Sequence, residues 1–159
     1  MVNDSYRGSG ECEPALYARD ANPITSLIAE EGIRALAASL PVVVREPEHL
    51  EARAEALYGA WLAGTALAAV GMALHHKLCH TLGGSFDLPH AEVHTIVLPH
   101  ATAYNRAGAP TAMARIARAL DAEDAAEGLF DLAAALGAKQ SLADIGLREQ
   151  DLERRRSRP

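Results

Sequence analysis

Apolar residues recur at helical spacing along most of this chain, and this pattern limits the fold more than any other feature. In residues 24–40, for example, Leu27, Ile33, Leu36 and Leu40 follow the three- and four-residue steps of one helix face. The one β-prone run, Val42-Val43-Val44, has no second run to pair with, so we assign it to a connection. The sequence therefore predicts an all-α fold, a helical bundle of about seven helices without a sheet.

Proline and glycine fix the expected helix boundaries. We expect helices to begin at Asn22-Pro23, near Pro47 and at Pro89, and to end at Pro41 and at a left-handed Gly83-Gly84 cap. A helix over residues 65–82 is expected to precede that cap. A kink or break is expected at Pro99, and other stops at Gly64, at residues 108–110 and at Gly137. A last short helix is expected to be capped at residues 141–144.

Charge and cysteine content exclude several classes of protein. The net charge of −6 over 159 residues leaves no basic footprint for nucleic acid. Cys12 and Cys79 form no CxxC pair and no disulfide framework, which favours a reduced, cytoplasmic setting. Residues 56–74 carry no charge, but alanine and glycine dominate them, so we interpret them as buried helix rather than a membrane span.

Composition divides the chain into three parts. Residues 1–14 are polar and rich in glycine, so we expect them to be disordered. Residues 15–152 carry the helical pattern and form the domain with the candidate site. Residues 153–159 contain four arginines and are interpreted as a solvated basic tail.

Five of the seven histidines lie between residues 75 and 94, and their spacing brings three of them together. His76 and His80 lie one turn apart on the same helix face, and His90 begins the same spacing on the next helix, with His94 four residues later. A turn between the helices would direct His76, His80 and His90 into one cleft. Imidazole nitrogens suit Fe(II), Zn(II), Cu or Ni.

Two interpretations of this cluster stay open from spacing alone. The histidines form a metal or proton-transfer site, or they are ordinary core residues with satisfied hydrogen bonds. The HExxH signature of zinc proteases is absent from the sequence. His75 points away from His76 and is interpreted either as packing or as a residue that supports a ligand from outside the site. His49 and His100 are interpreted as structural or surface residues.

Residues 71–90 read GMALHHKLCHTLGGSFDLPH, and this stretch resembles the metal-binding signature of iron-containing alcohol dehydrogenases. That family has H-x3-H on a helix, a glycine turn, and Pro-His ten residues after the second histidine. Here these positions are His76, His80 and Pro89-His90. The amino-acid sequence of residues 75–80, 88–92 and 98–101 is similar to that of the maleylacetate reductase branch in particular. The resemblance extends over residues 16–152.

The resemblance implies the helical C-terminal domain of the dehydroquinate-synthase-like fold. It implies Fe(II) or Zn(II) ligands at His76 and His90, with His80 beside substrate and nicotinamide as the proton donor. It also implies NADH- or NADPH-dependent reduction of maleylacetate to 3-oxoadipate in the breakdown of aromatic compounds. The substrate is a small dicarboxylate, so Lys77 is a candidate for holding a carboxylate, although a surface lysine is the simpler interpretation.

The chain departs from the family pattern at both ends. The family's first two ligands, an Asp and a His four apart, fall where this sequence has residues 8–14 with Glu11 and Glu13. The Gly-rich nucleotide-binding domain that should precede them is missing, so we expect little activity from the chain alone. We therefore carry two further alternatives: a non-enzymatic helical remnant that binds metal weakly or associates with itself or an intact homologue, and a metal-dependent hydrolase using Asp87 or Glu92.

Overall fold

The computed structural model describes residues 10, 12, 15, 16, 22–71 and 73–151 of the chain. Within them lie six α-helices, which are α1 Pro23–Arg45, α2 Leu50–Ala68, α3 Leu74–Phe86, α4 His90–Asn105, α5 Pro110–Ala119 and α6 Ala125–Ala135. A short 3₁₀ helix, Ala143–Ile145, follows, and the four described residues before Asn22 are also helical. These ranges contain no β-strand, which confirms the all-α prediction.

Two apolar clusters hold the helices together. The larger joins α1, α2, α5 and α6 around the fully buried Ile33, Leu36, Ile116 and Leu129. The smaller lies between α3 and α4 and contains Cys79, Val93, Val97 and their neighbours, closed by Ile145 of the 3₁₀ helix. The α3–α4 pair, which carries the histidines, thus has a small core of its own.

The α1–α2 pair packs closely because glycine lies at the crossing. A Cβ added to Gly59 would lie 2.8 Å from Cγ and 3.1 Å from the backbone N of Leu36. A Cβ added to Gly32 would lie 3.3 Å from Cβ of Leu62. Hydrogen in place of a side chain lets the two backbones approach, and Ala-rich faces fill the remaining space.

The structure describes Gly10 and Cys12 within the segment that was expected to be disordered, and it packs both against the helical domain. Both are helical and buried. A Cβ on Gly10 would lie 2.6 Å from Cε1 of the His75 ring, and one on Gly32 would lie 2.9 Å from Sγ of Cys12. The remaining residues of 1–14 and the basic tail lie outside the described residues.

The expected start of the first helix is confirmed. Oδ1 of Asn22 accepts hydrogen bonds from the backbone N–H groups of Ile24 and Thr25 at 3.0 and 3.1 Å. Oγ1 of Thr25 accepts from the backbone N–H of Asn22 at 3.0 Å, which completes a reciprocal cap. Pro23 fits the first turn, where its missing N–H costs nothing.

The expected helix end at Pro41 is wrong, and Pro99 does not break its helix. Helix α1 continues through Pro41 to Arg45 and includes the three valines assigned to a connection, and α4 continues through Pro99. A proline inside a helix costs about 3 kcal/mol. Burial offsets this cost, since every residue from Val93 to Pro99 is buried and Val43 packs on the larger cluster.

Several expected boundaries around glycine also differ. Helix α2 begins at Leu50 rather than near Pro47, runs through Gly64 and ends at Ala68, so no single helix covers residues 65–82. Helix α3 includes Gly83 and Gly84, and the left-handed residue after it is Asp87, with φ 53° and ψ 42°. Aspartate tolerates this conformation better than most residues. Among the described residues, no helix is long and apolar enough to cross a bilayer.

Helix α6 begins at an ionised capping residue, Asp124, from which we predict that the stability of the fold depends on pH. Asp124 Oδ1 accepts from the backbone N–H groups of Glu127 and Ala126 at 3.0 and 2.9 Å, and Arg106 contacts it at 2.7 Å. The backbone N–H of Glu127 lowers the pKa of this carboxyl most, helped by Ala126 and Arg106. A lowered pKa means that the carboxylate stabilises the fold above pH ~4 and that this contribution is lost as pH falls.

Asp124→Asn should keep the cap but remove this pH dependence. We expect the wild type to be more stable than the variant by about 0.5 kcal/mol above pH ~5, with the difference vanishing in acid. Urea unfolding at several pH values measures this, and a difference that is constant with pH would contradict the assignment.

Candidate metal and catalytic site

Helices α3 and α4 bring five histidines together. They are joined by residues 87–89, so the end of α3 lies next to the start of α4. Positions four residues apart lie on one helix face, which places His76 with His80 on α3 and His90 with His94 on α4. The exposed members are His80 and His90, whereas His76 and His94 are buried.

His80 and His90 face each other across the two helices. Their ring centroids are 5.6 Å apart, in an edge-to-face arrangement. Because both side chains are exposed, this pair lies where a substrate can reach it from solvent. The sequence predicted that these two residues would meet.

His94 lies at the centre of the cluster. Its ring centroid is 4.3 Å from that of His90, 5.0 Å from His76, 4.9 Å from His75 and 6.4 Å from His80. His76 is thus linked to the exposed pair through His94. The four-residue spacing of His90 and His94 is visible in the sequence, but no role was predicted for His94. This second i, i+4 histidine pair is the signal that could have identified His94 as part of the cluster.

His75 is a buried neighbour of the cluster rather than a member of its exposed face. Its Nε2 donates a hydrogen bond to the carbonyl oxygen of His94 at 3.1 Å. Burial lowers the pKa of the His75 imidazole, and the His94 carbonyl opposes this shift in part. The ring is therefore held neutral and fixed against α4.

The other polar residues considered in the sequence lie apart from this arrangement. His49 caps α2, with Nδ1 accepting from the backbone N–H of Ala52 at 3.2 Å, and His100 is exposed on α4. Lys77 and Asp87 are exposed, and Glu92 is partly buried in the first turn of α4. His49 has the structural role expected of it.

The donors present suit the metal that the family resemblance implies, as part of a site. His76 and His90 offer imidazole nitrogens from two helices, and both rings contact His94. Fe(II) and Zn(II) accept such ligands, and a catalytic site commonly uses three or more protein ligands. The described residues thus offer two donors of a kind that such a metal accepts, and the role of His76 and His90 as ligands stays a prediction.

Comparison with known proteins identifies the family. The sequence profile for the C-terminal part of the Fe-containing alcohol dehydrogenase family matches residues 12–156, which is most of the chain. The chain belongs to the Fe-containing alcohol dehydrogenase family. The histidine cluster on α3 and α4 lies within the part of the chain that this profile matches.

Within the family, this chain is similar to maleylacetate reductases. It is 58% identical over 152 residues to the maleylacetate reductase of Burkholderia cepacia, covering 96% of this chain and 43% of that protein. It is 60% identical over 132 residues to that of Sphingobium indicum, covering 83% and 38%. The crystal structure of a maleylacetate reductase from a Rhizobium species superposes with a TM-score of 0.92 at 50% identity, covering 96% of this chain and 43% of that one. This chain therefore spans less than half the length of these relatives.

Proposed function

We propose that this chain is the helical catalytic part of an NAD(P)H-dependent reductase acting on maleylacetate or a closely related unsaturated oxo-dicarboxylate. The observation that carries the proposal is the contact of His80 with His90 on α3 and α4, at two of the three histidine positions of the family signature. The identity of 50–60% to maleylacetate reductases supports the choice of substrate.

In this proposal His76 and His90 hold Fe(II) or Zn(II), which when bound supplies a positive charge that polarises a substrate oxygen. His94 fixes both imidazoles by contact with each ring. Since His94 is buried, it holds their positions without reaching the substrate. The chain thereby orients its two donors through packing inside the α3–α4 pair.

His80 acts as the proton donor. A hydride from the nicotinamide adds to one carbon of the carbon–carbon double bond, and the electron pair moves to the neighbouring carbon beside the carbonyl. Protonated His80 gives its proton to that carbon, which leaves the saturated oxo-dicarboxylate and the oxidised nicotinamide, and His80 regains a proton from water. The exposed position of His80 allows both steps.

The cofactor is held by a separate α/β part in this proposal. The 159 residues contain no GxGxxG sequence, and the relatives are more than twice as long as the part that this chain matches. The exposed Ile24, Leu27 and Trp61 of α1 and α2 provide apolar surface for association with another protein part.

A fusion tests the proposed activity. The part of the Burkholderia cepacia enzyme up to the position that corresponds to residue 14 is joined to this chain from Ala15 onward, so that the fusion carries the segment in which the family's first two ligands are expected. NADH and NADPH oxidation are then followed with maleylacetate. We expect substrate-dependent oxidation, with none from this chain alone. A folded fusion that binds NADH but leaves maleylacetate unreduced would refute the proposal, and the intact relative serves as the positive control.

The alternative is a helical protein that associates with an intact homologue without catalysis. The same exposed apolar side chains on α1 and α2 favour it, since 64–70% of Ile24, Leu27 and Trp61 is exposed. Co-purification of this chain with the intact relative, together with an inactive fusion, would support this alternative over the reductase.

A further inference from the structure

A second group of potential metal ligands lies beneath the exposed histidines. It consists of His75, Cys79 and His94, whose ligand atoms all lie within 4.8 Å of one another. His75 and Cys79 are four residues apart on one face of α3, and His94 comes from α4. The exposed fractions of their side chains are 0%, 0% and 2%, so solvent does not compete for them.

The donor set suits a specific kind of ion. Two imidazoles and a thiolate are ligands for Zn(II) and for its spectroscopic substitute Co(II). Bonds of 2.0–2.3 Å would bring the donors to about 3.5 Å from one another, a contraction of about 1 Å from the present spread. Rotation of the side chains within the α3–α4 pair can provide a movement of that size.

The orientation of the His75 ring is that of a metal ligand. Its Nε2 donates to the carbonyl oxygen of His94, and a ligating histidine usually donates its other N–H to such a group. Its Nδ1 is buried beside Gly10, whose backbone also interacts with the ring, and it makes no hydrogen bond of normal geometry among the described residues. A buried ring nitrogen without a hydrogen bond of good geometry costs folding free energy, and a bound ion would supply the missing partner.

We propose that His75, Cys79 and His94 bind one zinc-type divalent ion that fastens α3 to α4. Binding releases the thiol proton of Cys79 to solvent, so the bound group is His₂Cys with a thiolate. Cys79 shares the smaller apolar cluster with Leu88 and Val93, and the three donors are buried, so no substrate reaches the ion and its role is structural rather than catalytic. The proposal does not depend on the reductase activity.

Titration of the full chain with Co(II) tests this site, because a cobalt–thiolate bond absorbs in the near ultraviolet. We expect one equivalent of Co(II) to produce that band and Zn(II) to displace it. Cys79→Ser and Cys79→Ala should both abolish the band, whereas Cys12→Ala and His100→Ala should retain it. Cys12 is the matched control because it is equally buried but lies in the other cluster.

The same titration separates this site from the one proposed for catalysis. His90→Ala should keep the thiolate band, since His90 is no member of the buried group. Absence of the band from the folded wild-type chain, or its persistence in either Cys79 variant, would overturn the proposal and leave these residues as core packing. Circular dichroism confirms that each variant is folded before titration.

Discussion

Replacing His80 by alanine in the fusion should lower kcat by about 10²–10⁴-fold, the usual contribution of a positioned acid. The reason is that His80 is the exposed imidazole next to His90, at a centroid distance of 5.6 Å, and so the best-placed proton donor of the cluster. Its removal leaves hydride transfer without a partner for the developing charge. Steady-state rates at saturating NADH and maleylacetate measure the effect.

Two further measurements separate proton donation from a structural role. His80→Ala should lower kcat with little change in the KM for maleylacetate, since a proton donor acts in the chemical step rather than in substrate binding. His100→Ala is the matched control, since His100 is also exposed and lies on α4, and its kcat should be unchanged. A His80→Ala fusion with kcat within about threefold of the parent would exclude His80 as the acid.

Gly59→Ala should destabilise the chain although alanine is the better helix former. The new Cβ would lie 2.8 Å from Cγ and 3.1 Å from the backbone N of Leu36, and 3.2 Å from Cβ of Ala35. The leucine side chain can shift, but the backbone atom can move only if α1 and α2 separate. Overpacking of this kind costs about 1–3 kcal/mol.

Gly64→Ala on the same helix is the control. A Cβ at Gly64 meets nothing within 4 Å, so the substitution should stabilise the chain by up to about 1 kcal/mol through helix propensity. Both variants share that gain, and the difference between them isolates the steric cost at the crossing. Equal free energies of unfolding in urea would show that α1 and α2 are not in close contact at Gly59.

Much of the fold, and the contact between two histidines of the site, could be predicted from the spacing of residues along the chain. The helical class and the cap at Asn22 are local properties of the chain, as is the pairing of His80 with His90 around a short connection. The histidine motif also carried the family resemblance, which the match over residues 12–156 confirms. The ligand roles of His76 and His90 and the catalytic role of His80 stay proposals.

The predicted helix boundaries are wrong where local helix propensity and tertiary burial favour different helix ends. Pro41, Pro99, Gly83 and Gly84 are all unfavourable inside helices, and each lies within one. A local rule assigns a penalty of about 1–3 kcal/mol to such a residue. Such a rule takes no account of the apolar area that the continued helix buries against another element. The free energy gained by that burial can exceed the penalty.

Helical character and the recurrence of histidines every four residues on two consecutive segments follow from the sequence alone, because both properties depend only on neighbours along the chain. Tertiary structure decided which ring lies at the centre. His94 contacts the rings of four other histidines, and Gly10 packs against the ring of His75. Most of these contacts join residues that are distant in sequence. Such approaches follow from how closely whole helices pack, and packing distance is set by side chains of every element at once.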